Sequence, residues 1–117
     1  MTLPNFQDSG AVTQQRAEKA TEWLVHSAVL IGEAKAERER CENMLRVIKS
    51  LEMKASNERS AAAQEREAYA SDRYITAIDE LFEATKRHET LLSTRLAATN
   101  VIDVWRSLNS TLKGARV

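Results

Sequence analysis

Between Ala11 and Lys113 the only residue that ordinarily interrupts a helix is Gly32, and the single proline, Pro4, precedes any stretch that could be helical. A chain so poor in breakers, with 29% of its side chains charged, can run as long uninterrupted helix. One stretch within it reads differently. Ser56, Asn57 and Ser60 are turn and cap formers, and residues 61–70 have high helix propensity but only Tyr69 as a large apolar anchor. Ser71 and Asp72 then offer a fresh N-cap with an acid in the first turn. On either side lies an arm of roughly 40 residues, about 60 Å long if helical. The expected fold is therefore all-α, a long antiparallel helical hairpin. A first helix spans 11–55, a corner containing a short helical piece spans 56–71, and a second helix spans 72–113 and closes at Gly114. Together they form one domain, 11–117, behind a mobile arm, 1–10. Ser9 to Thr13 supply candidate caps for the first helix, and Phe6 is the residue through which the arm could dock on a neighbouring subunit.

Apolar and small residues in the first arm recur at alternating intervals of four and three: Ala20, Leu24, Ser27, Ile31, Ala34, Arg38, Cys41, Leu45, Ile48. Trp23, Val29, Leu30, Met44, Val47 and Leu51 widen this stripe. In the second arm the seam is read through Ile78, Leu81, Thr85, His88, Leu92, Thr99 and Ile102, thickened by Tyr74, Ile75, Phe82, Leu96, Val101, Trp105 and Leu108. Folding the arms antiparallel sets Ile48 near Ile78, Leu24 near Ile102, Trp23 near Trp105, and Arg38 and Cys41 near Thr85 and His88. Two helices alone bury little surface, so stripes this broad imply a further partner. A symmetric dimer forming a four-helix bundle is the simplest solution. The residues expected to pack the core or the subunit interface are Trp23, Leu24, Ile31, Leu45, Ile48, Ile78, Leu81, Leu92, Ile102 and Trp105.

Composition narrows the function classes. Seventeen basic and 17 acidic residues leave no net charge, which disfavours general binding to nucleic acid or acidic membranes. Aromatic side chains make up 5%, too few for base-stacking platforms. Cys41 stands alone, which suits a reducing compartment, and neither a membrane span nor a signal pattern is read. The expected location is the cytoplasm. Charge is nonetheless uneven: residues 64–89 carry more acids than bases, while from Leu91 onward Arg95, Arg106, Lys113 and Arg116 are offset only by Asp103. Arg106, Lys113 and Arg116 are the candidate contacts for nucleic acid or an acidic partner.

No catalytic constellation is read. His26 and His88 lack a second ligand at metal spacing, and Thr85 stands where a di-iron bundle needs Glu three residues before His88. Cys41 on an apolar face reads as a small core residue rather than a nucleophile. The acid pairs Asp79/Glu80 and Glu65/Glu67 read as ordinary exposed helix positions. There is no glycine-rich phosphate loop, and Gly32 marks either close helix approach or a tolerated defect. No metal, cofactor or small-molecule substrate is expected.

The run Ser60–Ser71, followed by Tyr74 and later by Ile102, Trp105 and Arg106, resembles a group of small phage- and prophage-encoded helical proteins. The resemblance covers roughly Ala34 to Arg106. Asp72 stands where that group has proline, and both residues suit the first position of a helix. It implies a phage accessory protein, encoded among recombination or replication genes and acting in the host cytoplasm. It transfers no functional residue. The expected function is a non-enzymatic helical oligomer that binds a recombination, replication or host protein. The alternatives are a structural or chaperone-like adaptor in virion assembly or secretion, and a DNA-binding accessory factor.

Overall fold

The computed structural model describes residues 2–8 and 10–115. It contains three helices, α1 (Gln14–Ala55), α2 (Ala61–Ala70) and α3 (Asp72–Ala115), and no strand among the described residues. The fold is the all-α helical hairpin expected, two long helices joined through a short one.

Each boundary has a local cause. The Thr13 hydroxyl accepts from the Arg16 amide at 3.2 Å and starts α1; Ser9, the other candidate, lies outside the described residues. Ser60 is extended and accepts from the Ala63 amide at 3.1 Å, capping α2. Ser71 serves two helices. Its hydroxyl donates to the Ala68 carbonyl at 2.8 Å and accepts from the Tyr74 amide at 3.2 Å, closing α2 and opening α3. Asp72 in the first turn and Lys113 in the last turn of α3 both favour the helix dipole. Two glycine readings change. Gly114 lies within α3 and no glycine has positive φ, so it is not a left-handed cap. A side-chain carbon at Gly32 would meet nothing within 4 Å, so Gly32 marks no close approach.

Contacts divide the chain into two compact units, Met1–Gly32 with Glu89–Val117, and Glu33–His88. In the first unit, Phe6, Ala20, Ala98 and Val101 form the core, with Val12, Trp23, Leu24, Ala97 and Ile102 packed against it. Ala20, Trp23 and Leu24 pack with Ala97, Ala98 and Val101, while Gln14 and Ala17 line a groove with Trp105 and Arg106, so numbering rises along α1 as it falls along α3. The two helices are antiparallel here. In the second unit, Arg38 reaches His88, and Leu45 and Lys49 line a groove with Tyr69, Tyr74 and Leu81, again antiparallel.

The α1 seam is buried at Ala20, Ser27, Ala34, Cys41 and Ile48, one residue per heptad, with Ile31 buried beside it. On α3, His88 is buried as the seam reading expected, but at the other levels the buried residue lies one position away. Ala77, Ala84, Leu91 and Ala98 are buried, while Ile78 is 43% exposed and Thr85, Leu92 and Thr99 are half-buried. The reason is steric. Small side chains let two helices approach closely, and a bulky neighbour one position along is displaced to the flank. Seam hydroxyls find acceptors in their own helix: Ser27 donates to the Leu24 carbonyl at 3.4 Å and Thr94 to the Thr90 carbonyl at 3.0 Å.

Candidate interaction surfaces

In the first unit the N-terminal segment lies on its own helices. Phe6 is buried in the core, so it is not held out for a neighbouring subunit as the sequence suggested. Arg16 is the clamp. Its guanidinium pairs with Asp8 at 2.8 Å and donates to the carbonyls of Gly10 at 2.7 Å, Phe6 at 3.1 Å and Asp8 at 3.3 Å. A planar five-donor fork suits this task better than an ammonium. Between segment and helix lies an open groove lined by Pro4, Phe6, Arg16, Lys19, Trp23 and His26. The Trp23 indole N–H is buried with no hydrogen-bond partner. Trp105 sits instead among Gln14, Ala17, Glu18 and Thr21, so the two tryptophans occupy different surroundings.

In the second unit α2 is held to the end of α1 by polar contacts. Lys49 pairs with Glu65 at 3.1 Å and lies 4.8 Å from the Tyr69 ring centre. The Tyr69 hydroxyl donates to the same Glu65 carboxylate at 3.0 Å, and its ring meets Tyr74 edge-on at 5.2 Å. The Lys49 hydrogen bond, then that of Tyr69, lowers the Glu65 pKa; Tyr69 first and Glu65 second raise that of Lys49. Ser56 donates to Glu67 at 2.8 Å. Glu65 and Glu67 are thus fasteners of the corner rather than idle surface acids. Ala68, fully buried, supplies the apolar anchor expected of Tyr69, which is 43% exposed.

At the level of His88, Arg38 Nη1 lies 3.4 Å from His88 Nδ1. A guanidinium has donors only, so any hydrogen bond here runs from Arg38 to the ring. Arg38 also pairs with Glu42 at 3.4 Å. Cys41 is buried with its Sγ 3.7 Å from Glu37, and burial first, then the Glu37 charge, pushes the thiol pKa up. A thiol so placed stays protonated and unreactive. Glu37 is lowered chiefly by its bond to Arg40 at 2.6 Å. Among the described residues no group of three His, Cys, Asp or Glu could hold a metal ion, and no helix is long and apolar enough to cross a membrane.

The residues proposed for assembly divide in three. Ile31 and Ile48 are buried; Trp23, Leu24, Leu45, Leu81, Leu92, Ile102 and Trp105 are half-buried flanks of the seams. Ile78 faces outward with Ile75 and Phe82, whose exposures are 48% and 65%. Val25 and Val29 on α1 and Leu96 on α3 are more than 60% exposed. Arg106 and Lys113 are exposed on α3, and Arg116 lies outside the described residues. Sequence reasoning missed the small-residue seam of α3. Its signal was the heptad repeat Ala77, Ala84, Leu91, Ala98, which mirrors Ala20, Ser27, Ala34. Comparison with protein-family models, with curated proteins and with solved structures found no match to this chain.

Proposed function

We infer that the protein is a non-enzymatic accessory protein that works by offering apolar helix faces to other proteins. The observation supporting this reading is the set of large apolar side chains left outside both seams, above all Ile75, Ile78 and Phe82 on α3. Scattered apolar residues are ordinary on a protein surface, but repeated ones on one side of a helix mark an interaction face. The small-residue seams support it further. They close each helix pair with little bulk, so the bulky residues remain for a partner. The resemblance of Ser60–Ser71, Tyr74 and Trp105 to phage-encoded proteins suggests a partner in phage recombination or replication, or in the host.

The test is chemical crosslinking in the native cytoplasm, comparing the wild type with Phe82→Glu. Adducts of defined mass that the substitution removes support the reading. Identical adduct patterns, or none in either form, overturn it.

A further inference from the structure

Within the second unit, Ile75, Ile78 and Phe82 are all exposed, and intervals of three and four residues set them on one side of α3. The buried Ala77 and Ala84 lie on the opposite side. Asp72, Asp79 and Glu83 follow one edge of this apolar patch. Asp79 stands one turn after Ile75 and one turn before Phe82, and the other two continue the row on either side. All three carboxylates are exposed, and among the described residues none joins an ion pair. Asp79 and Glu83 are four residues apart, a like-charge pair that disfavours the helix slightly. Beyond this edge an open groove is lined by Asp79, Glu80, Glu83 and Arg87 of α3 and by Glu37 and Arg40 of α1. Glu37 and Arg40 bond each other at 2.6 Å, which leaves three carboxylates of the groove facing Arg87. Lys86, at the end of the patch, is already engaged.

Resting on the docking reading above, we propose that the occupant of this face is a basic amphipathic helix of another protein. Its apolar side lies on Ile75, Ile78 and Phe82, and its Arg or Lys side chains run along Asp72, Asp79 and Glu83. Charge complementarity selects this occupant: an apolar strip beside a row of unneutralised carboxylates matches a helix with apolar anchors and a basic flank. From Asp72 to Glu83 the helix rises about 16 Å, so three turns of a partner helix cover the face. A second copy seated through the same patch would bring three more carboxylates and, in Lys86, only a cation already engaged. Nucleic acid or an anionic membrane would bring further negative charge to an acidic edge.

The test uses two fluorescein-labelled helical peptides of about 18 residues, long enough to hold a helix. Both carry Leu at alternating intervals of three and four. One has Arg along the flank and the other Glu. Binding is read by fluorescence anisotropy at low salt. The Arg peptide is expected to bind the wild type roughly tenfold tighter than the Glu peptide, as two or three exposed ion pairs allow. That preference is lost in Asp79→Arg/Glu83→Arg and kept in Glu39→Arg/Glu58→Arg, which makes the same change in net charge at exposed positions elsewhere in the unit. Phe82→Glu weakens the Arg peptide as well. Equal binding of the two peptides, binding of neither, or a preference that survives in Asp79→Arg/Glu83→Arg overturns the basic helix as occupant. Self-association of the wild type that Phe82→Glu abolishes, with no preference for the Arg peptide, gives the face to a second copy and leaves the docking reading standing. Cellular adducts unchanged by Phe82→Glu sink the docking reading itself.

Discussion

Ala98 has no solvent exposure and packs with Phe6, Ala20 and Val101. If the seam merely wanted more apolar bulk, Ala98→Leu would gain about 2 kcal/mol from the added buried surface, at almost no cost in helix propensity. The small-residue seam predicts the opposite sign. The added carbons have no space between helices held together by Ala20 and Ala98, so α3 must shift or the leucine must leave its rotamer. Overpacking of this kind costs about 1–3 kcal/mol. The assay is urea unfolding at fixed protein concentration, comparing midpoints at constant slope. Ala36→Leu, at an exposed position of α1, is the control and should stay within about 0.5 kcal/mol of the wild type. A midpoint that rises for Ala98→Leu would refute the close-packed seam and return α3 to an ordinary leucine-type register.

Other consequences follow from named contacts. Arg16→Ala should cost about 2 kcal/mol, because three carbonyls and a carboxylate lose a charged donor; limited proteolysis should then cut near Phe6, with a red shift in tryptophan emission. Gly32→Ala should stabilise by about 0.5–1 kcal/mol, since the position is helical and open, and a thermal melt reads it. Because the folded pKa of Glu65 is lowered, its stabilisation is present above the usual 4.5 and lost as pH falls through the folded value. Because that of Lys49 is raised, its stabilisation is present below the usual 10.5 and lost as pH rises through the folded value. Glu65→Gln should therefore flatten the acid limb of melting temperature against pH. Ser71→Ala should cost at least the ~1 kcal/mol of a lost N-cap, as it also removes the bond closing α2.

Much of the fold was legible because its causes are local. Scarce breakers, Thr13, Ser60 and Ser71 placed the helices within a few residues, and the α1 heptads named the buried positions Ala20, Ser27, Ala34, Cys41 and Ile48. The α3 seam was misread because bulk was taken as the sign of burial. Ile78 outranks Ala77 on any hydrophobicity scale, yet helix contact selected the smaller residue. The Arg16 clamp and the Lys49–Glu65 pair were illegible for another reason. They join residues ten and 16 positions apart across turns whose path no periodicity predicts.

The claim that matters most is that the apolar residues outside the seams are an interaction face. Crosslinking of the wild type and of Phe82→Glu, read by the mass of the adducts, tests it most directly. The account predicts adducts of defined mass for the wild type and their loss in the variant. Identical adducts in both forms, or none in either, would contradict it.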